Sequence, residues 1–429
     1  MTAHQIRHVR ITPIAFRDPP LLNAAGIHEP WALRAIVELE TQSGLIGINE
    51  TYGDRPMLEA LARCADALMG LSPWALNDMD ARVAALVTPP QQTSEFLGTQ
   101  VSLAPGTHVS KTVAKVRSAF EVAMMDLQGQ LANAPVVDLL GGAVRSSVPF
   151  SAYLFFKYAE HIDQPYAPDP WGEATQPEQL VTQARRMTDL HGFKSIKVKG
   201  GALPPDQEVA AVIALSNAFP GLPLRIDPNA NWSVSTSLKA MDRLSGLLEY
   251  LEDPAPGLDG MAAVARECSV PLATNMVVTD WAEFRKNAEQ GCPVNIVLSD
   301  HHYWGGLRAT LRLAHLCETH GLSLSMHSNS HLGISLTAMT HVAAAVPHLS
   351  HDCDTHYPWQ DDDVVQGGRL RFDQGCIRVP TESGLGVRID PEALARLNDN
   401  YRNTAIRNRD DLAQMRRYDP TFSGIQPRY

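Results

Sequence analysis

Two lysines one residue apart, Lys197 and Lys199 in the run FKSIKVKGG, begin a series of polar residues whose spacing suits proton-transfer chemistry. In an extended run the faces alternate, so Lys197 and Lys199 share one face and Lys194 takes the other. Two amines aimed into a pocket can serve as a base and an electrostatic clamp. The bland alternative is a solvent-facing edge strand that uses lysine against aggregation. The series continues with Asp227 and Asn229, Glu252 and Asp253, Asn275, Asp300, His327 and Asn329, then Asp354 with His356, each ending a strand-like run. Any one of these is ordinarily a cap or a loop former, but their succession favours a shared site. Asp227, Glu252 and Asn275 end three successive runs, which sets three oxygen ligands side by side for a hard ion such as Mg²⁺. Across from the lysines stands His327, with Asp300 ending the run before it; an Asp–His pair orients the imidazole and raises its basicity. Bases on both sides of a bound metal would allow a proton to be taken from either face of a carbon.

The elements that must position these residues show a strand-then-helix rhythm from about residue 148. Its strand-like runs are VPFSAYLFF, SIKVKG, LRIDPNA, LEYLEDPA, PLATNMVV, VNIVLSDHH, LSLSMHSNS and HLSHDCDTH, with helix patterns such as DQEVAAVIALSNAF between most of them. This rhythm predicts a (β/α) barrel rather than an open doubly wound sheet, and no GxGxxG follows a strand. In a barrel the ends of the strands are where chemistry sits. Residues 1 to about 140 read as mixed α and β. RAIVELETQSGLIGINET predicts a hairpin turning at residues 42–44, residues 110–131 an amphipathic helix, and Leu139-Leu140-Gly141-Gly142 its stop. After about residue 380, ESGLGVRIDPEAL leads into a polar tail expected to pack back on the first domain.

Composition narrows the function classes. A chain of 429 residues, 44% hydrophobic and 19% charged, is ordinary for a soluble globular protein of two domains. A formal net charge of −11 argues against nucleic acid or an anionic membrane as partner, though not against a small anion at a locally positive site. The six cysteines are scattered, as expected for free thiols in a reducing cytoplasm. No signal-peptide pattern is seen at the N-terminus, and no apolar run is long enough to span a bilayer. A cytoplasmic location is expected.

The order Lys-x-Lys, Asp-x-Asn, Glu-Asp-Pro, Ala-Thr-Asn, Asp, His-Ser-Asn resembles the enolase superfamily, and its glucarate dehydratase subgroup in particular. LATNMVVTDW, YLFF at 153–156, HSNSH at 327–331 and DTHYPWQ at 354–360 carry the subgroup resemblance, which extends from GIHEPW to RNRDDL. The resemblance implies an α/β fold: a modified (β/α)₇β TIM barrel (141–380) under an α+β capping domain built from residues 1–140 and the C-terminal segment 381–429. It implies Mg²⁺ and dehydration of a hexaric acid such as D-glucarate to a keto-deoxy diacid. Lys199 would be the base on one face, with Lys197 its partner near the substrate carboxylate, and His327 with Asp300 the base on the other. Metal ligands would be Asp227, Glu252 and Asn275. Substrate contacts would be His28, Thr107, Tyr153, Asn229, Asn329, His356 and Arg409. The segment APGLDG after Glu252-Asp253-Pro254 is shorter than in the better-known glucarate dehydratases, which carry a further acid there; Asp259 stands as a substitute ligand.

The expected partner is a dicarboxylate sugar acid, and a homo-oligomer is expected because barrels of this kind often assemble. Four alternatives compete with a glucarate dehydratase. His327 and His331 have the H-x₃-H spacing of a zinc site, but HSNSH lacks the glutamate of HExxH. A racemase or epimerase of the same superfamily would use the same bases, as would the dehydratase of another aldarate such as galactarate. A non-catalytic sugar-acid-binding paralogue would be expected to show a broken base or ligand, and none is broken here.

Overall fold

A computed structural model describes residues 3–87, 111–162 and 169–429. The N-terminal hairpin forms as expected: β2 (Trp31–Thr41) pairs antiparallel with β3 (Ile46–Tyr52), and β1 (Ile6–Arg17) completes the sheet on the other edge of β2. Behind the sheet lie α1 (Arg55–Ala65), α2 (Leu76–Leu86) and the long α3 (Thr112–Ala132). Contrary to the amphipathic reading, α3 is buried on nearly every face from Thr112 to Gly129. It packs between β3 on one side and barrel elements on the other, so neither flank meets water. It also stops earlier than the Gly-Gly signal, at Asn133 in a left-handed C-cap. Gly141 and Gly142, both at positive φ, close the short helix Val136–Leu139 instead.

Seven parallel strands follow: β4 (Ala152–Phe155), β5 (Ile196–Lys199), β6 (Leu224–Asp227), β7 (Tyr250–Glu252), β8 (Leu272–Thr274), β9 (Ile296–Ser299) and β10 (Ser323–Met326). They are hydrogen-bonded in sequence order, with helices α4 (Pro177–His191), α5 (Pro205–Ala218), α6 (Val234–Leu244), α7 (Gly257–Glu267), α8 (Trp281–Glu289) and α9 (Leu307–Thr319) at successive crossovers. Helix α10 (Gly333–Ala345) follows β10. The last predicted strand, HLSHDCDTH, is not a regular strand. Residues 349–354 make isolated parallel bridges, Leu349 to Leu324 and Cys353 to Phe150, and so stitch β10 to the segment leading into β4.

Inside the ring, alternation turns every second residue inward. Lys197 pairs in register with Arg225, and Lys199 with Asp227, so the two lysines lie in successive inward layers. Lys194 precedes the strand and is exposed. Tyr250, Ala273, Ile296 and Leu298 make a separate apolar cluster on β7–β9. Past the barrel, α11 (Pro391–Asn403) returns to the N-terminal sheet, where Asn398 and Asn400 donate to the Pro13 and Ala15 carbonyls of β1. A final helix, α12 (Asp411–Tyr418), packs beside the loop that carries Gly26 and Ile27.

Candidate active site

The ends of β5 to β7 bring a dense set of charges together. Lys199 Nζ donates to Asp227 Oδ2 at 2.5 Å and also to Asn229 Oδ1. Asn229 reaches that position because its backbone is left-handed, at φ 53°. Lys197 is fully buried, its Nζ 2.6 Å from Asp354 Oδ2 and 2.5 Å from Glu252 Oε2, and it lies over the Tyr153 ring. Burial opposes the Lys197 charge, but Asp354 and Glu252 outweigh it and hold the ammonium well above the ordinary lysine range. The two lysines therefore differ in setting: Lys199 lines the cavity at the barrel mouth, and Lys197 is enclosed by carboxylates beneath it.

Asp227, Glu252 and Asp253 each offer a carboxylate oxygen within 4.8 Å of the others, all buried. Asp253 is committed: Oδ1 accepts from the Thr274 hydroxyl at 2.5 Å and Oδ2 from the Asn275 amide N–H at 2.9 Å. That grip fixes the end of β8 and the backbone of Asn275. Both polar atoms of the Asn275 side chain, and Oε1 of Glu252, lie buried with no hydrogen-bond partner among the described residues. Buried polar atoms are normally paired. Crowded carboxylates beside an unsatisfied amide oxygen are the donor set a hard divalent cation takes, so Asp227, Glu252 and Asn275 fit such an ion. Asp259 does not join them. It sits exposed in the first turn of α7, outside the ring of strands, where Gln290 donates to it.

Across the mouth, Asp300 Oδ2 lies 3.3 Å from His327 Nδ1, while Oδ1 accepts the His302 backbone N–H and faces His302 Nδ1 at 2.7 Å. Burial alone would raise the Asp300 pKa, but His302 and His327 outweigh it and hold it well below the usual carboxylate range. His331 does not share a ligand group with His327; its Nε2 faces Thr355 Oγ1 at 3.2 Å.

One cavity is lined by Lys199, Asn229 and His327 together with His28, Tyr153, Asn329, His356 and Arg409. Several are held from behind. Arg409 makes a two-pronged pair with Asp411, at 2.8 and 2.6 Å. His28 faces Asp18 at 3.1 Å, and Asn329 donates to the Tyr52 hydroxyl at 2.8 Å. His356 stands against Tyr153 edge-on, and burial, with His28 next, holds its pKa well below the ordinary histidine value. Thr107 lies outside the described residues.

Residues 9–141 match the family described as mandelate racemase / muconate lactonizing enzyme, N-terminal domain, and residues 179–393 match enolase C-terminal domain-like. The chain belongs to the enolase superfamily. Within it, the chain is 49% identical to a probable glucarate dehydratase of Streptomyces coelicolor A3(2), over 97% of each chain. An enolase-superfamily structure from Pseudomonas fluorescens Pf0-1, with bound magnesium, potassium and tartrate, is 53% identical with a TM-score of 0.96 over 100% of both chains. One from Thermobispora bispora, with magnesium and formate, is 52% identical with a TM-score of 0.94, over 99% of this chain and 100% of that one. Muconate cycloisomerases and a dipeptide epimerase are more distant relatives, so the superfamily alone does not select a reaction.

Sequence reasoning missed several residues that shape the site. Asp354, which the sequence marks only as the end of a run, grips Lys197. His302 shares Asp300 with His327, and its Asp-x-His spacing at a helix start was a usable local signal. Arg34, Glu50 and Tyr52 enter from the N-terminal hairpin and had no local signal at all.

Proposed function

We propose that the chain is a Mg²⁺-dependent hydro-lyase acting on a hexaric acid such as D-glucarate. A proton α to a carboxylate is removed, the β-hydroxyl leaves as water, and the resulting enol becomes a keto-deoxy diacid. The observation that carries this reading is Lys199 and His327, from separate strands, lining one cavity over a buried carboxylate cluster. The probable glucarate dehydratase relative and the neighbour holding tartrate, a hydroxylated diacid, support the substrate class.

Asp227, Glu252 and Asn275 would hold Mg²⁺, which when bound supplies positive charge against the negative charge developing on the substrate carboxylate. A general base contributes roughly 10²–10⁴-fold, so preorganised charge must supply much of the remainder. Lys199 is the base on one face, its amine held in place by Asp227 and Asn229. Lys197 is a fixed cation, paired with Asp354 and Glu252, that makes this layer of the barrel less negative towards a dianion. His327, with Nδ1 turned to Asp300, presents Nε2 to the cavity; when it takes the α-proton from its own face, it returns that proton to the departing hydroxyl, which leaves as water. Arg409 offers a cation to the distal carboxylate. His28, Tyr153, Asn329 and His356 read the hydroxyls between.

Proton NMR in D₂O with Mg²⁺ and a panel of aldarates tests this reading. Loss of an α-proton signal with growth of a keto-deoxy product is the expected result and identifies the substrate. Bases on both sides of the cavity also suit an epimerase, which would show deuterium exchange without elimination. No reaction on any aldarate, with metal bound, would overturn the catalytic reading in favour of a binding protein.

A further inference from the structure

A line of polar contacts runs from the N-terminal hairpin into the barrel behind His327. Arg34 on β2 is 2% exposed, and its Nε donates to Glu50 Oε1 at 2.9 Å. Its Nη2 lies 3.0 Å from His302 Nε2. A guanidinium carries N–H donors and no acceptor. The His302 nitrogen facing it must therefore be a lone pair, which excludes both the imidazolium and the tautomer protonated on Nε2. The ring proton is left on Nδ1, directed at Asp300 Oδ1 at 2.7 Å. Asp300 then remains an acceptor on both oxygens, so His327 must supply its Nδ1–H at 3.3 Å, which leaves Nε2 as the ring nitrogen available to the cavity. The opposite His302 tautomer would set a lone pair against Asp300 unless that carboxyl took up a proton. A protonated Asp300 would hold His327 only through a neutral oxygen, a weaker grip than a carboxylate gives. Ser335 Oγ, 3.2 Å from His302 Nε2, can donate and agrees with the first arrangement. The Glu50 carbonyl would favour the second, but lies farther away at 3.3 Å.

We propose that Arg34 is a positioning residue: acting through His302 and Asp300, it sets the His327 tautomer whose free Nε2 serves as the base. The catalytic half of this inference rests on the function proposed above; the tautomer half does not. The experiment uses the full-length protein labelled with ¹⁵N-histidine, where long-range ¹H–¹⁵N correlations read each ring's tautomer without substrate. Wild type should show His302 and His327 as Nδ1–H forms. Arg34→Met should cost His327 its single tautomer and slow exchange of a substrate proton on the His327 face by roughly tenfold or more, with the Lys199 face nearly unaffected. A general loss of folding would slow both faces alike. His302→Leu breaks the relay while sparing the Arg34–Glu50 pair, and should act as Arg34→Met does. His302→Gln, whose amide can donate to Asp300 and accept from Arg34, should restore both readouts. An Nε2–H form of His302 in wild type, or an unchanged His327 ring in both Arg34→Met and His302→Leu, would overturn the proposal. If no aldarate exchanges, the ring spectra still decide it.

Discussion

At the scale of single residues, Asn275 holds a position that packing alone does not explain. A buried polar group left unsatisfied costs about 1–3 kcal/mol, and both polar atoms of this side chain are in that state beside three carboxylates. Asn275→Leu should therefore leave the metal-free protein at least as stable as wild type while weakening Mg²⁺ binding by roughly tenfold or more. Calorimetry and equilibrium dialysis read the two effects separately, and unchanged Mg²⁺ affinity would remove Asn275 from the ligand set. Asn275→Asp adds a negative charge to the cluster, so it should tighten Mg²⁺ binding and raise KM for a dianionic acid. Lys199→Met should reduce turnover by at least about 10²-fold with the circular dichroism spectrum unchanged. If turnover survives that change, the base on this face lies elsewhere.

Among the elements, the loop after β5 shows why a glycine stands two residues after Lys199. Gly201 has φ +70°, and a Cβ there would sit 2.1 Å from the Pro228 carbonyl oxygen. Glu208 accepts the amide N–H groups of Gly201, Ala202 and Leu203, fixing the turn that presents Lys199. Gly201→Ala should cost about 1–3 kcal/mol of stability in urea unfolding and should lower kcat. Helix α10 carries a pH-sensitive joint. His341 Nδ1 accepts from the Val137 N–H, and its Nε2 faces the Leu385 carbonyl at 3.0 Å, an arrangement that needs the neutral ring. Burial lowers its pKa from 6.5 to about 4, against the opposing pull of Leu385 and Asp138. Its contribution is fully present above pH 6.5 and is lost as pH falls through about 4. In full it amounts to about 3 kcal/mol. Thermal midpoints measured across that range should fall less steeply for His341→Gln than for wild type.

These elements also show how much was legible beforehand. Strand ends could be read because alternation and the strand–helix rhythm are local and repeat, and the candidate ligands and bases therefore fell at one mouth. The closing run HLSHDCDTH has polar residues throughout, so periodicity could not distinguish a strand from an isolated bridging segment. Helix α3 reads as amphipathic because its apolar residues recur three and four apart, whereas the residues between them meet a second packed layer. The Arg34–His302 contact joins residues 268 apart, and Lys197–Asp354 joins residues 157 apart, distances at which no sequence pattern reports a partner.

For the molecule as a whole, the site is held by segments drawn from opposite ends of the chain. Asn231, in the loop after β6, donates to the Gly201 carbonyl and accepts from the Arg428 and Tyr429 amides. Arg428 Nη2 in turn reaches the Ala24 carbonyl at 2.6 Å, next to the loop that carries His28. Arg428→Ala should loosen this tie and raise KM roughly tenfold with a smaller change in kcat. Equal KM values for variant and wild type would show that the tie does not shape the site.

The way the ring is closed also governs when function can arise during synthesis. Lys197 is made long before Asp354, the residue that completes its ion pair, and Arg409 and Arg428 emerge later still. A ribosome-bound chain arrested before residue 354 would hold the lysines and the carboxylates of β6 and β7 without the stave that joins β10 to β4. Such a nascent chain would display its acidic cluster without an enclosing wall, and full affinity for metal and sugar acid would appear only near the end of translation.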